Sequence, residues 1–82
     1  MIYVAANNRA AAEAYARSHG VDDANDVVQV TSLNTLAGRK GVTVHAVIGY
    51  IDAEIETMLY ILGVRRLANV VYKKLVTNQN TI

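Results

Sequence analysis

At 82 residues the chain is long enough for one domain with one modest hydrophobic core, and 52% apolar against 18% charged residues argues against disorder, because such a chain buries enough surface to offset the entropy of ordering. Eight basic and seven acidic residues leave a net charge of +1, so no broad field draws the chain to nucleic acid or to a membrane surface, and any such site must be local. Without cysteine there is neither a disulfide framework nor a thiolate metal site, and the core must suffice alone or be shared.

The opening Met1-Ile2-Tyr3-Val4 has neither the basic region nor the apolar run of an export signal, and no stretch nears the ~20 apolar residues of a membrane span. A cytoplasmic location without membrane contact is expected. Ile2 to Ala6 reads as a strand, followed at once by Asn7-Asn8, residues that cap helices by accepting backbone N–H bonds. From Arg9 to His19 the chain is alanine-rich, with Arg9, Glu13 and Arg17 on one side and Ala11, Tyr15 and Ser18 on the other. That spacing predicts a helix with a charged outer stripe, stopped by Gly20.

Asp22 to Asp26 is a polar turn, and Val27 to Thr31 has the β-branched content of a second strand. Ser32 caps a single helical turn, Leu33 to Ala37, ended by Gly38. Val42 to Ile48 is the third and longest strand, apolar on both faces apart from Thr43 and His45 as a strand covered on both sides is, which places it at the centre of the sheet or next to it. Asp52 caps the next helix, which places Ile51, Ile55, Met58, Leu59 and Leu62 on one face, Glu54 and Glu56 in its first turn, and ends at Gly63. In Val64 to Val76 the residues Val64, Leu67, Ala68, Val71 and Leu75 share a helical face while two-residue alternation fails, so a helix is predicted despite the valines, with a strand at the sheet edge as its alternative. Thr77 to Ile82 is a polar tail, which leaves residues 1–76 as a single domain.

This order predicts an α/β fold: a small, three-stranded, mostly parallel sheet with right-handed crossovers and helices packed on it, a reduced Rossmann-like layer. Three strands leave open edges, so self-association is a physical expectation, and Tyr60 and Ile61, directed away from the predicted core face, are the candidate contact residues.

Ligands of open α/β sheets sit at the carboxyl ends of the strands, here Asn7, Asn8, Arg9, Thr31, Ser32, Asn34 and Tyr50. Asn7, Asn8 and Arg9 could offer a helix N-terminus and a guanidinium to an anion, but no glycine-rich phosphate loop is present, so an ordinary cap is the expectation there, with no nucleotide and no cofactor. Gly38-Arg39-Lys40-Gly41 has the form of the G-x-x-G clamp of KH modules, yet a strand follows it rather than a helix. From Gly63 onward Arg65, Arg66, Lys73 and Lys74 stand without an acidic residue, and on a helix Arg65, Arg66, Asn69 and Lys73 would form an outer stripe able to bind phosphates. His19 and His45 have no partner at metal-ligand spacing and are expected to cap and to hydrogen-bond locally. Neither a nucleophile elbow nor a paired-acid arrangement is present, so no catalytic residue, no metal site and no enzymatic activity are expected.

The run Ile2-Tyr3-Val4-Ala5-Ala6-Asn7, the later Ala14-Tyr15-Ala16-Arg17-Ser18-His19-Gly20, and Leu36-Ala37-Gly38-Arg39 before an apolar strand resemble small α/β proteins encoded by actinobacterial phages. The resemblance covers residues 1–50 and carries over no functional residue. It implies a nucleotide-binding layout stripped of its phosphate loop, and a setting in the cytoplasm of a bacterial host. The expected function is a non-enzymatic interaction protein that self-associates and binds a host protein. The alternative is a weak nucleic-acid-binding module using Arg39, Lys40, Arg65, Arg66 and Lys73, with binding that falls steeply as salt rises.

Overall fold

The structure, a computed structural model, describes residues 1–74. Strand β1 (Ile2–Ala5), helix α1 (Arg9–Ser18), strand β2 (Val27–Val30), strand β3 (Thr43–Ile48), helix α2 (Ala53–Arg65) and strand β4 (Asn69–Lys74) follow one another, with single 3-10 turns at Ala24–Asp26 and Leu33–Leu36 on either side of β2. The four strands form one sheet in the order β2-β1-β3-β4, and every neighbouring pair is parallel.

The topology explains where the helices lie. From β1 the chain steps in one direction to β2, and from β3 it steps in the other direction to β4. Two right-handed crossovers of opposite travel place their helices on opposite faces of a sheet. Val4, Ala6, Val27 and Val47 accordingly pack against Ala12, Tyr15 and Ala16 of α1. On the other face Ala5, Val30, Val44 and Ala46 pack against Ile55, Met58, Leu59 and Leu62 of α2. Leu59 and Leu62 are each 1% exposed, and burial of this kind contributes ~1.5–3 kcal/mol per side chain.

Local chemistry sets the ends of both helices. The Asn8 side chain accepts from the Ala11 N–H at the start of α1, and the Asp52 carboxylate accepts from the Ile55 N–H at the start of α2. Helix α1 closes with Val21 N–H donating to the Ala16 carbonyl and Gly20 N–H to the Arg17 carbonyl. Gly20 takes the left-handed conformation that this closure requires, with φ +83°.

Three expectations are corrected. The sheet has four strands rather than three, because Asn69 to Lys74 pairs with Thr43 to Ile48 as a strand and does not continue as a helix. Gly63 does not end α2: the helix runs to Arg65, and the reversal is made by Arg66 in the left-handed region at φ 56°. Ser32 stands at the cap position of its 3-10 turn, but its side chain makes no capping hydrogen bond. The predicted tail at 77–82 and the end of the predicted last helix, residues 75 and 76, lie outside the described residues. Among the described residues no helix is long and apolar enough to cross a membrane.

Candidate functional site

The carboxyl ends of the strands are divided by the sheet into two separate hollows. On the α2 side, Thr31, Ser32 and Asn34 after β2 line an open groove of about 610 Å³ with Glu54, Thr57 and Ile61 of α2. On the α1 side, Asn8 and Tyr50 line a smaller hollow of about 310 Å³ with Ala11, Ala14 and Tyr15. Between them, where the chain leaves β1 and β3 in opposite directions, the Asn7 N–H donates to the Tyr50 carbonyl and ties the two loops together.

Both helix N-termini are engaged by side chains of the chain itself, α1 by the capping Asn8 and α2 by the capping Asp52. Glu54 and Glu56 stand in the first turn of α2 beside the capping Asp52, so its positive dipole end is already offset by carboxylates. Arg9 is engaged away from the Asn7-Asn8 loop: its guanidinium donates to Glu13 (2.9 Å), to the Val27 carbonyl (3.0 Å) and to the Ala24 carbonyl (2.7 Å). It fastens the start of α1 to the turn before β2.

The structure brings together a cluster that the sequence pattern did not reveal. Tyr15, on the inner face of α1 and 4% exposed, places its hydroxyl 2.7 Å from Nδ1 of His45 on β3. The His19 ring stacks on the same tyrosine with centroids 4.3 Å apart, and the two imidazoles approach to 5.8 Å. His45 therefore bonds across 30 residues of sequence rather than locally. Burial pushes the Tyr15 phenol pKa up. Burial, and secondarily the neighbouring His19, hold His45 below the ordinary imidazole range. The available signals were Tyr15 and His19 one helical turn apart and a histidine of opposite sheet parity to Val44 and Ala46. Neither discloses a meeting without the topology.

The basic residues sort by strand end. Arg39 and Lys40 lie in the loop before β3, Arg65 ends α2 and Arg66 opens the turn before β4, and these neighbouring segments are joined where Asn69 N–H donates to the Val42 carbonyl at 2.8 Å. Arg39 sits 5.6 Å over the Tyr3 ring. Among the described residues the ion pair is Arg9–Glu13, so these four cations carry no carboxylate partner. Lys73 does not join them. It pairs with Val47 while Asn69 pairs with Thr43, which sets its backbone ~13 Å along the strand at ~3.3 Å per residue. The helical stripe of Arg65, Arg66, Asn69 and Lys73 is thus replaced by a basic corner at the amino end of the sheet.

Tyr60 and Ile61 part company. Tyr60 is 71% exposed and borders a groove of about 540 Å³ with Gly63, Val64, Arg66, Ala68, Asn69 and Val70, between the flank of α2 and β4. Ile61 is half-buried and turned into the groove beside Thr31.

The fold and these surfaces define a small parallel α/β protein with two helices, one on each face of its sheet. No family model matches the chain, and no curated protein or solved structure matches it.

Proposed function

We propose that the chain is a non-enzymatic interaction protein that self-associates and binds a protein partner through the corner formed by α2 and β4. The observation that carries this reading is the pair of strongly exposed apolar side chains, Tyr60 and Val64, beside a strand edge that is unpaired among the described residues. Tyr60 and Val64 are 71% and 64% exposed and line one groove with Val70, and among the described residues β4 ends the strand order with β3 on one side only. An added strand would find backbone partners along β4 and an apolar groove alongside, the combination that strand-addition recognition uses.

A second copy is a suitable occupant. Antiparallel pairing of two β4 strands puts Val70 to Tyr72 at the centre and Lys73-Lys74 of each chain at opposite ends, which keeps like charges apart. In the bacterial host that the phage resemblance implies, a host protein would use the same corner. Sedimentation or light scattering over a concentration series should give a mass rising above the 8.9 kDa of one chain, and Tyr60→Asp with Val64→Asp should return it to one chain. A one-chain mass into the millimolar range removes the self-association. A protein captured from bacterial lysate equally by the parent and the double variant removes the corner as the binding surface.

A second reading rests on the basic corner, which offers to a nucleic-acid backbone four cations that have no carboxylate partner among the described residues. Four phosphate contacts give a log–log salt slope of roughly −2.8 for single strands and −3.6 for duplex. Binding would then weaken about 50- to 150-fold between 50 and 200 mM salt. Arg65→Glu with Arg66→Glu should abolish it, and a salt-independent affinity would exclude it.

A further inference from the structure

We propose that Arg9 and the turn before β2 close the second edge of the sheet to strand addition, so that self-association through β4 stops at two chains. The two-chain limit rests on the self-association reading above; the closure of β2 does not.

Among the described residues the order β2-β1-β3-β4 leaves two outer edges, and unpaired backbone on either is a template for another strand. The N–H and C=O of one strand residue point to the same side and those of the next to the opposite side, so alternate residues face an edge. On β4 the Asn69 N–H donates toward β3, to the Val42 carbonyl at 2.8 Å. Asn69, Val71 and Lys73 therefore face β3, and Val70, Tyr72 and Lys74 direct their backbone outward. Antiparallel pairing of two β4 strands about Val71 sets Val70 of each chain opposite Tyr72 of the other, the arrangement in which two residues exchange both backbone bonds.

The outer edge of β2 is different. The Val27 N–H donates to the Ala24 carbonyl of the 3-10 turn, and the Val27 carbonyl accepts from Arg9 Nη1 at 3.0 Å. Neither partner belongs to β1, so Val27 faces outward with both of its backbone groups already engaged. By alternation Val28 and Val30 face β1, which leaves Gln29 as the open residue of this four-residue strand. The same guanidinium donates to the Ala24 carbonyl at 2.7 Å and is held by the Glu13 carboxylate at 2.9 Å. A fixed charge from α1 thus occupies the point where an added strand would begin, and one open residue is shorter than the 3–10 residues over which strands usually run. Two chains joined through β4 then present only guarded β2 edges, and growth ends with a closed pair.

The test is sedimentation or light scattering over a concentration series of the parent, of Arg9→Ala, and of Arg9→Ala combined with Tyr60→Asp and Val64→Asp, with backbone amide exchange followed by NMR. The parent mass should rise to twice the 8.9 kDa of one chain and level there. Arg9→Ala should pass that value. The combined variant, with the α2–β4 corner disabled, should still pair through β2, and its Gln29 amide should exchange at least ~10-fold more slowly once paired. That slowing distinguishes strand addition from aggregation of unfolded chains, which does not single out Gln29. In the dilute parent the Gln29 amide should exchange faster than those of Val28 and Val30, a comparison that needs no variant. A parent mass that grows past two chains, a Gln29 amide as slow as its neighbours, or a combined variant that stays at one chain would each overturn the closure of β2. A parent that stays at one chain while the combined variant pairs would remove the self-association reading and the two-chain limit, and would support the closure of β2 by Arg9.

Discussion

Replacing Tyr15 by phenylalanine removes one oxygen and leaves the ring in place, so it isolates the bond that joins α1 to β3. The ring is 4% exposed and keeps its stacking on His19 at 4.3 Å, so the loss is confined to the 2.7 Å contact with His45 Nδ1. A bond of this kind contributes ~1 kcal/mol net. The larger penalty of a stranded buried group does not apply in full, because His45 is only half-buried and water can replace the phenol in part. The expected loss is therefore about 1–1.5 kcal/mol, equivalent to a fall in Tm of roughly 4–12 °C for a domain of this size. Urea unfolding at pH 8, where the His45 imidazole is neutral, measures it. Combining Tyr15→Phe with His45→Leu completes a double-mutant cycle, and a coupling energy of ~1 kcal/mol is expected for groups in direct contact. Coupling below ~0.3 kcal/mol, the scatter of independent sites, would show that the two side chains do not meet in solution.

The remaining predictions concern pH and glycine. Folding lowers the proton affinity of His45, so the unfolded chain binds the additional proton as the pH falls; stability should be level above about pH 7, decline as the pH drops below the ordinary imidazole value of about 6.5, and level again below the folded pKa. His45→Leu should remove that decline from a series of urea midpoints, and a decline that survives would have to come from other groups. Gly63 lies inside α2 with open space where a Cβ would stand, so Gly63→Ala should stabilise by ~0.5–1 kcal/mol through helix propensity. Gly20→Ala forces an L-residue to φ +83° and should destabilise by ~1–2 kcal/mol; thermal melts of the two variants moving in the same direction would contradict the helix bounds.

Much of the layout was legible because the local signals agreed with the tertiary structure. Asn8, Gly20 and Asp52 mark helix ends by hydrogen bonds and backbone conformations that involve only neighbouring residues, and all three act as the sequence suggests. Gly63 shows the limit of that reasoning: a glycine followed by valine and two arginines resembles a helix stop, yet the reversal is made three residues later by Arg66. The Tyr15–His45 contact was illegible for a different reason. It requires knowing that β3 lies beside β1 with Val4 opposite His45, a register of parallel strands joined through long crossovers.

The misassigned last element is the most instructive, because the correct answer was implied by another reading of the same sequence. Val42 to Ile48 was expected to be the central strand or next to it from its apolar character on both faces, and a central parallel strand needs a hydrogen-bonded neighbour on each side. Strand β1 fills one side of β3 and carries β2 on its other edge, so a three-stranded sheet leaves β3 at an edge with six residues of backbone half paired. The valines at 70 and 71, read locally, fit a helical stripe through Val64 and Leu67. Read against the unmet backbone of β3, they fit a parallel strand with Val70 turned to the α2 core and Val71 opposite His45. Backbone pairing outweighs a helical periodicity that only one face of a short segment supports. The same demand is passed outward: among the described residues β4 now carries the unpaired edge beside Tyr60 and Val64, and the proposed docking of a partner strand rests on that transferred deficit.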